Sequence, residues 1–285
     1  MRLSIAAPFF SVLFLSGCIS HSGKPDGRSP QSVNTHFSVQ KNVIYTPAGW
    51  SQPQTADVYI PSEPGVYPGV VVVHGGGWDG RDRSDMESIS EKLAQHGYVV
   101  ANMDYRLAPA SLYPAQLDDV RAAVKWMRSN AARLKLDPQR VGGWGYSAGA
   151  HLVALAATFD GPAESQLQAV VAGGLPADFT HYPNSPIITK FIGATYAEKP
   201  KTWIEASPIS HVSNNDPPMF LYHGKWDRLV YVEDSIAMNE ALKNAKVPTE
   251  LYLVSGGAHI TTFLFGFGAE SAGIEFLDRY LRPTR

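Results

Sequence analysis

The sequence predicts an α/β fold: a mostly parallel sheet with helices on both faces and a small insert near the site. Three observations carry this. Val70-Val71-Val72-Val73 is a continuous β-branched run, the pattern of a strand covered on both faces. Leu117, Val120, Val124, Met127, Ala131 and Leu134 recur at alternating steps of three and four, the stripe of an amphipathic helix. Short apolar runs and helical stripes then alternate toward the C-terminus, and such alternation requires a parallel sheet with helices on its two faces.

The remaining elements follow in order. Val43-Ile44-Tyr45 and Asp57 to Ile60 are short strands parted by a Pro/Gly turn region. Met86, Ile89 and Leu93 mark a helix that stops before Gly97, a C-terminal cap. Tyr98 to Met103 is a strand. Asp118, Arg121, Lys125 and Arg128 lie off the Leu117–Leu134 stripe and face water. Val141 to Tyr146 is a Gly-rich strand, and Ala148 to Ala157 is a helix apolar on every side, hence buried. Strands at 170–172, 218–222 and 249–254 and helices at 232–245 and 271–281 complete the series. Residues 178–217 break the rhythm. Their length and Pro and aromatic content fit a lid or pocket insert, or equally a surface excursion.

The N-terminus is a separate unit. Arg2 precedes an apolar stretch from Leu3 to Leu15, too short to span a bilayer comfortably but right for a secretory signal. It ends in Leu15-Ser16-Gly17-Cys18, which resembles the bacterial lipobox, and Cys18 is the only cysteine of the chain. The expectation is a lipoprotein signal at 1–17, lipid attachment at Cys18, a flexible tether over 18–36, and one domain over 37–285. The protein would then be exported and anchored to a bacterial envelope membrane. An ordinary signal with an incidental cysteine is the alternative. With 24 basic and 26 acidic residues the net charge is −2, so the overall charge gives no electrostatic reason to expect nucleic acid or an acidic membrane surface as a partner. There is no H-E-x-x-H and no Cys/His cluster, so neither a metal nor an organic cofactor is expected.

Gly145-Tyr146-Ser147-Ala148-Gly149 fits G-x-S-x-G and falls between a strand and a helix, the context that gives the motif meaning. A nucleophile on so tight a turn needs small neighbours, and the helix N-terminus behind it favours developing negative charge. A serine hydroxyl also needs a base, and the base an orienting acid. In this arrangement acid and base follow the serine in the chain. Asp227 lies in a loop after the strand ending at Tyr222, and His259 follows the strand ending at Val254 and the turn Gly256-Gly257. Both therefore emerge at the sheet edge that carries Ser147. Glu233 and Asp234 are alternative acids, weakened by their place inside the next helix. Among the other histidines, His21 falls in the tether, His36 before the domain and His96 at a helix end. His74, His151 and His223 are explained by the motifs around them. His181 and His211 stay open to substrate contact, with solvated loop positions favoured. His74-Gly75-Gly76-Gly77-Trp78 follows the valine strand, and its glycines leave backbone N–H groups free to meet an oxyanion. The hole is assigned to the N–H groups of Gly76, Gly77 and Ala148. Trp78 and Tyr146 beside them are assigned as substrate contacts. Phe263, Leu264, Phe265 and Phe267 either line an acyl pocket or, the favoured reading, give buried support to the C-terminal helix.

Together these residues resemble the esterases of the α/β-hydrolase family related to hormone-sensitive lipase. The likeness runs from about Val43 to the C-terminus. It rests on H-G-G-G-W at 74–78, D-Y-R-L-A-P at 104–109, D-P-Q-R-V at 137–141, G-Y-S-A-G-A-H-L at 145–152, A-S-P-I at 206–209, H-G-K-W-D-R-L-V at 223–230 and G-A-H at 257–259. Many of those enzymes have an acidic residue before the serine and a large N-terminal cap; here Tyr146 takes that place and little precedes the sheet. The serine motif is also similar to that of small carboxylesterases, feruloyl and acetyl-xylan esterases and kynurenine formamidase-like amidases. For Asp104 and Arg106 the resemblance implies a structural turn. It implies hydrolysis of a small acyl or aryl ester through an acyl-enzyme. The alternatives are a formamidase-like amidase and a non-catalytic binding module. The acyl length and the oligomeric state are open at this level.

Overall fold

The computed structural model describes residues 19–24 and 34–282. The signal at 1–17, Cys18 and the middle of the expected tether lie outside them. Among the described residues nine strands form one sheet: β1 (Ile19–Ser22), β2 (Phe37–Ile44), β3 (Thr55–Pro61), β4 (Tyr67–Val73), β5 (Val99–Met103), β6 (Leu136–Tyr146), β7 (Val170–Gly173), β8 (Met219–Gly224) and β9 (Thr249–Val254). Their spatial order is β1-β9-β8-β7-β6-β4-β5-β3-β2. The run from β5 to β9 is parallel, while β3, β2 and β1 are antiparallel additions at the edges. This is the α/β-hydrolase architecture expected.

Alternation along β4 shows why the valine run is unbroken. Val71 and Val73 face a core built with α2 (Ala115–Ser129) and α4 (Ala148–Thr158). Val70 and Val72 face the opposite core, against α1 (Glu87–Gln95) and α9 (Ala269–Leu281). Successive side chains point to opposite faces, so a strand covered twice must be apolar at every position. Gly97 follows α1 at φ 74, the left-handed conformation that a C-terminal cap needs. The chain order reverses at β4, whose neighbours are β5 and β6. The crevice at the carboxyl ends of strands beside such a switch point is where α/β sheets bind ligands. The loop after β4 and the turn after β6 both open there.

Two expectations need correction. The stripe through Leu134 is not one helix: α2 stops at Ser129, and α3 (Ala131–Leu134) is a single turn. The Asn130 side-chain amide donates to the Trp126 carbonyl at 2.9 Å, as does its backbone N–H at 3.0 Å, so the side chain competes for the helix acceptor. Leu134 is buried all the same. The tether is also not uniformly free. Ile19–Ser22 adds to the open edge of β9, with Ile19 opposite Val254 and Ser22 opposite Leu251. His21 Nε2 lies 2.8 Å from Glu250 Oε2. An unpaired strand edge recruits a passing segment whether or not that segment is apolar.

Residues 178–217 hold α5 (Pro186–Ile192) and α6 (Pro200–Glu205) with short 3₁₀ turns before and after. Phe179, Phe191 and Trp203 are fully buried, so the segment is part of the core as well as a wall of the site. The chain completes with α7 (Val232–Asn244) after β8 and α8 (His259–Phe265) after β9.

Candidate active site

Ser147 joins β6 to α4 at φ 55 and ψ −121, a conformation costly for a residue with a side chain. Packing enforces it. A Cβ on Gly145 would come within 2.3 Å of the Gly149 carbonyl group, and one on Gly149 within 2.1 Å of the Val73 carbonyl oxygen. The glycines of the motif are thus fixed by backbone meeting backbone. As the first residue of α4, Ala148 has an N–H without an intrahelical acceptor.

The loop after β4 comes from the other side. Gly76, Gly77 and Trp78 all have positive φ, at 102, 61 and 62. The loop is held below by Tyr105, whose hydroxyl lies 3.1 Å from the His74 carbonyl and whose ring stacks on His74 at 4.3 Å. Above, the Trp78 indole donates to His151 Nδ1 at 3.2 Å, and His151 donates from Nε2 to the Ala206 carbonyl at 2.7 Å. Burial pushes the His151 pKa down to about 4, as suits a neutral ring with that tautomer. Trp78 also stacks on Phe191 at 4.6 Å, tying the loop to the insert.

His259 begins α8, and its Nδ1 donates to Asp227 Oδ2 at 2.6 Å. The other oxygen of Asp227 accepts from the backbone N–H groups of Leu229 and Val230, both at 2.9 Å. Burial opposes a charge on Asp227, but hydrogen bonds from His223, His259 and Val230 outweigh it. The carboxyl is held well below the usual carboxylate range and is ionised at neutral pH. Tyr146 donates from its hydroxyl to the His259 carbonyl at 2.6 Å, fixing the start of α8.

Ser147, His259, Gly76, Gly77 and Ala148 line one pocket of about 310 Å³. The sequence-derived set is therefore brought together in space. Trp78 and Tyr146 line it too, though both are nearly enclosed and spend their polar atoms on His151 and His259. The insert contributes Tyr182, Ser185, Ile187 and Ile188. Asp79, Arg81 and Asp85 form a charged side, and Leu229, Ile260 and Phe263 an apolar one.

Other candidates go elsewhere. Asp234 is buried in α7 and accepts from the Ala177 N–H at 3.0 Å, from the Tyr182 hydroxyl at 3.0 Å and from His181 Nδ1 at 2.7 Å. It pins the insert to the sheet and does not line the pocket. His211 donates to the Glu205 carbonyl and stacks on Phe159. Arg106 grips Asp119 through Nε at 3.0 and 2.9 Å, the structural turn expected. The support expected of the aromatic run after His259 holds only for Phe263, which packs against the core shared with α9 and also lines the pocket, while Leu264, Phe265 and Phe267 are exposed. Leu264 and Phe265 fall on the outer side of a seven-residue helix whose inner side is taken by His259 and Thr262, and Phe267 lies beyond its end.

One functional residue escaped the sequence reading. His223, fully buried, places Nε2 3.1 Å from Asp227 Oδ2 and 3.1 Å from the Val230 carbonyl, while Nδ1 meets the Ser235 hydroxyl at 2.7 Å. Both neighbours of Nε2 are acceptors, so Nε2 carries the proton and a second imidazole donates to the same carboxylate. The four-residue spacing of His223 and Asp227 was the available signal.

The BD-FAE family model matches residues 56–242, more than half of the chain, and includes Ser147 and Asp227 but ends before His259. The chain belongs to the BD-FAE family. Esterase LipQ of Mycobacterium tuberculosis is 32% identical over 209 residues, covering 67% of this chain and 49% of LipQ. The chain spans about half the length of curated relatives such as LipQ and the same organism's probable carboxylic ester hydrolase LipM. Among solved structures, a truncated carbohydrate esterase from gut microbiota superposes with TM-score 0.76 at 25% identity, covering 88% of this chain and 100% of its own. An esterase of Thermogutta terrifontis superposes with TM-score 0.72 at 23% identity, covering 90% of this chain and 96% of its own, a likeness of fold.

Proposed function

We propose that this BD-FAE protein is a serine carboxylesterase acting on small acyl or aryl esters, with Ser147, His259 and Asp227 as its triad. The observation that carries the reading is His259 Nδ1 held at 2.6 Å from an ionised Asp227, in the pocket that Ser147 enters from a strained turn. In the first half-reaction Ser147 Oγ attacks the acyl carbon and its proton passes to His259 Nε2. Asp227 fixes the tautomer and stabilises the imidazolium. The N–H groups of Gly76, Gly77 and Ala148 receive the oxyanion. Collapse expels the alcohol, which takes the proton from His259, and leaves an acyl-enzyme on Ser147. Water then adds by the same route and releases the acid. A cavity of about 310 Å³ lies at the small end of ligand pockets and suits a short acyl group.

The same proposal places the protein on a membrane through lipid attachment at Cys18, as an exported envelope lipoprotein. The support is the Leu15-Ser16-Gly17-Cys18 sequence and the single cysteine. Ser147→Ala is expected to lower turnover of nitrophenyl acetate by about a million-fold with unchanged circular dichroism. Near wild-type turnover, or fluorophosphonate labelling that survives the substitution, would remove Ser147 from the reaction. A chain-length series run beside feruloyl, acetylated-sugar and formyl-amide substrates ranks the acyl groups and separates esterase from amidase.

A further inference from the structure

Exposed apolar groups lie on one side of the mouth of the pocket, opposite the charged side formed by Asp79, Arg81 and Asp85. Trp226 is 70% exposed, Leu229 55%, Leu264 63% and Phe265 67%. Exposed aromatic and aliphatic groups gathered at one place mark an interaction surface. Leu229 and Ile260 continue the face into the pocket itself. The Trp226 loop lies against the turn before α8: its N–H donates to the Gly257 carbonyl at 2.9 Å, and its ring lies 3.7 Å from where a Gly256 Cβ would stand.

Charge follows a pattern. From Ser255 to Ala269 the chain holds no Asp, Glu, Lys or Arg. In the facing segment Lys225 and Arg228 are exposed, while its one acid, Asp227, is buried on His259. An apolar face with a tryptophan and flanking cations suits an interface with anionic lipid.

The direction of the N-terminus is the independent observation. Because β1 runs antiparallel to β9, Ile19 stands opposite Val254, at the catalytic end of the sheet. Cys18 is the next residue back, one Cα–Cα step of about 3.8 Å. Ile19, the described residue nearest to Cys18, and the apolar face therefore lie at the same end of the sheet.

We propose that the outer face of α8, with Trp226 and Leu229, docks on the phospholipid surface and turns the mouth of the pocket toward it. The orientation rests on the Cys18 anchor proposed above; the apolar face does not. Amphiphilic esters could then enter from the lipid side without crossing bulk water.

The test uses the protein isolated from membranes of an expressing bacterium and reconstituted in phosphatidylglycerol–phosphatidylethanolamine vesicles. Lipids carrying a nitroxide near the headgroup should quench a component of the tryptophan fluorescence that Trp226→Phe removes. In the double variant Leu264→Asp/Phe265→Asp that quenching should fall at least about ten-fold, while turnover of a water-soluble ester is retained. N-terminal mass spectrometry reports the anchor separately. If lipid is present on Cys18, the protein still sediments with vesicles and only Trp226 depth changes. If it is absent, sedimentation itself should depend on Leu264 and Phe265. Trp226 unquenched in vesicle-bound protein, or equal behaviour of wild type and double variant, overturns the proposal. So does a dimer in solution that the double variant splits, which would give the face to a second copy of the chain.

Discussion

His259 meets Asp227 at 2.6 Å, and His181 meets Asp234 at 2.7 Å. Both contacts use Nδ1, and both carboxylate side chains are fully enclosed. Yet only the first pair reaches the pocket of Ser147. Their surroundings differ in a way that fits the proposed catalytic role of the first and a structural role of the second. Asp227 collects two imidazoles and two backbone N–H groups, enough to overcome burial and hold it ionised. At Asp234 burial prevails over bonds from His181, Tyr182 and the N–H groups of Ala177 and Asp178, and its carboxyl is raised above its ordinary value. The His181 ring is also 43% exposed, whereas the His259 ring is 7% exposed. A histidine–carboxylate pair is thus no signature of catalysis by itself. Each acid accepts four donors, so the count does not separate them; what does is the balance of burial against those bonds and that only His259 reaches the pocket.

The comparison breaks most directly at the acids. Asp227→Asn is expected to lower kcat/KM for nitrophenyl acetate by about ten-thousand-fold, because the amide no longer fixes the right tautomer of His259. Asp234→Asn should instead lower stability by about 1–3 kcal/mol by leaving an N–H group facing other donors. Its kcat should stay within a few-fold of wild type, measured by thermal melts beside steady-state kinetics. An equal loss of kcat in both variants would erase the distinction between the two acids.

Next in size is His223. Removing its donor with His223→Phe should cost about ten-fold in kcat at unchanged KM, since a charge-assisted bond to the acid is lost while His259 keeps its partner. The pH–rate profile should shift as well, which a purely structural role would leave in place.

The smallest effect concerns stability against pH. The hydrogen bond to Asp234 raises the His181 pKa above its ordinary value of 6.5. That contribution is fully present below the unfolded-state pKa and is lost as pH rises through the folded value. Melting temperature should therefore decline slightly on the alkaline side of about pH 6.5, and His181→Gln should flatten the decline. Asp227 has the opposite sign. Its contribution is present above the ordinary carboxylate pKa and is lost only as pH falls through its depressed native value.

Much of this molecule is legible in the chain. The valine run of β4, the serine turn and the order of Ser147, Asp227 and His259 are statements about neighbours in sequence, where steric rules and periodicity act directly. The same rules placed Gly76 and Gly77 after β4, where the turn has positive φ. The tertiary structure alone decided the rest. Tyr146 and His259 are 113 residues apart, and His181 and Asp234 are 53 apart; no local pattern shows such contacts. Whether Leu264 and Phe265 are buried depends on whether another element covers α8, and nothing within that helix states it. Nor does the polarity of Ile19–Ser22 disclose that β9 has an open edge to offer. Local sequence sets what each segment can become, while burial and long-range pairing depend on which surfaces the other segments leave free.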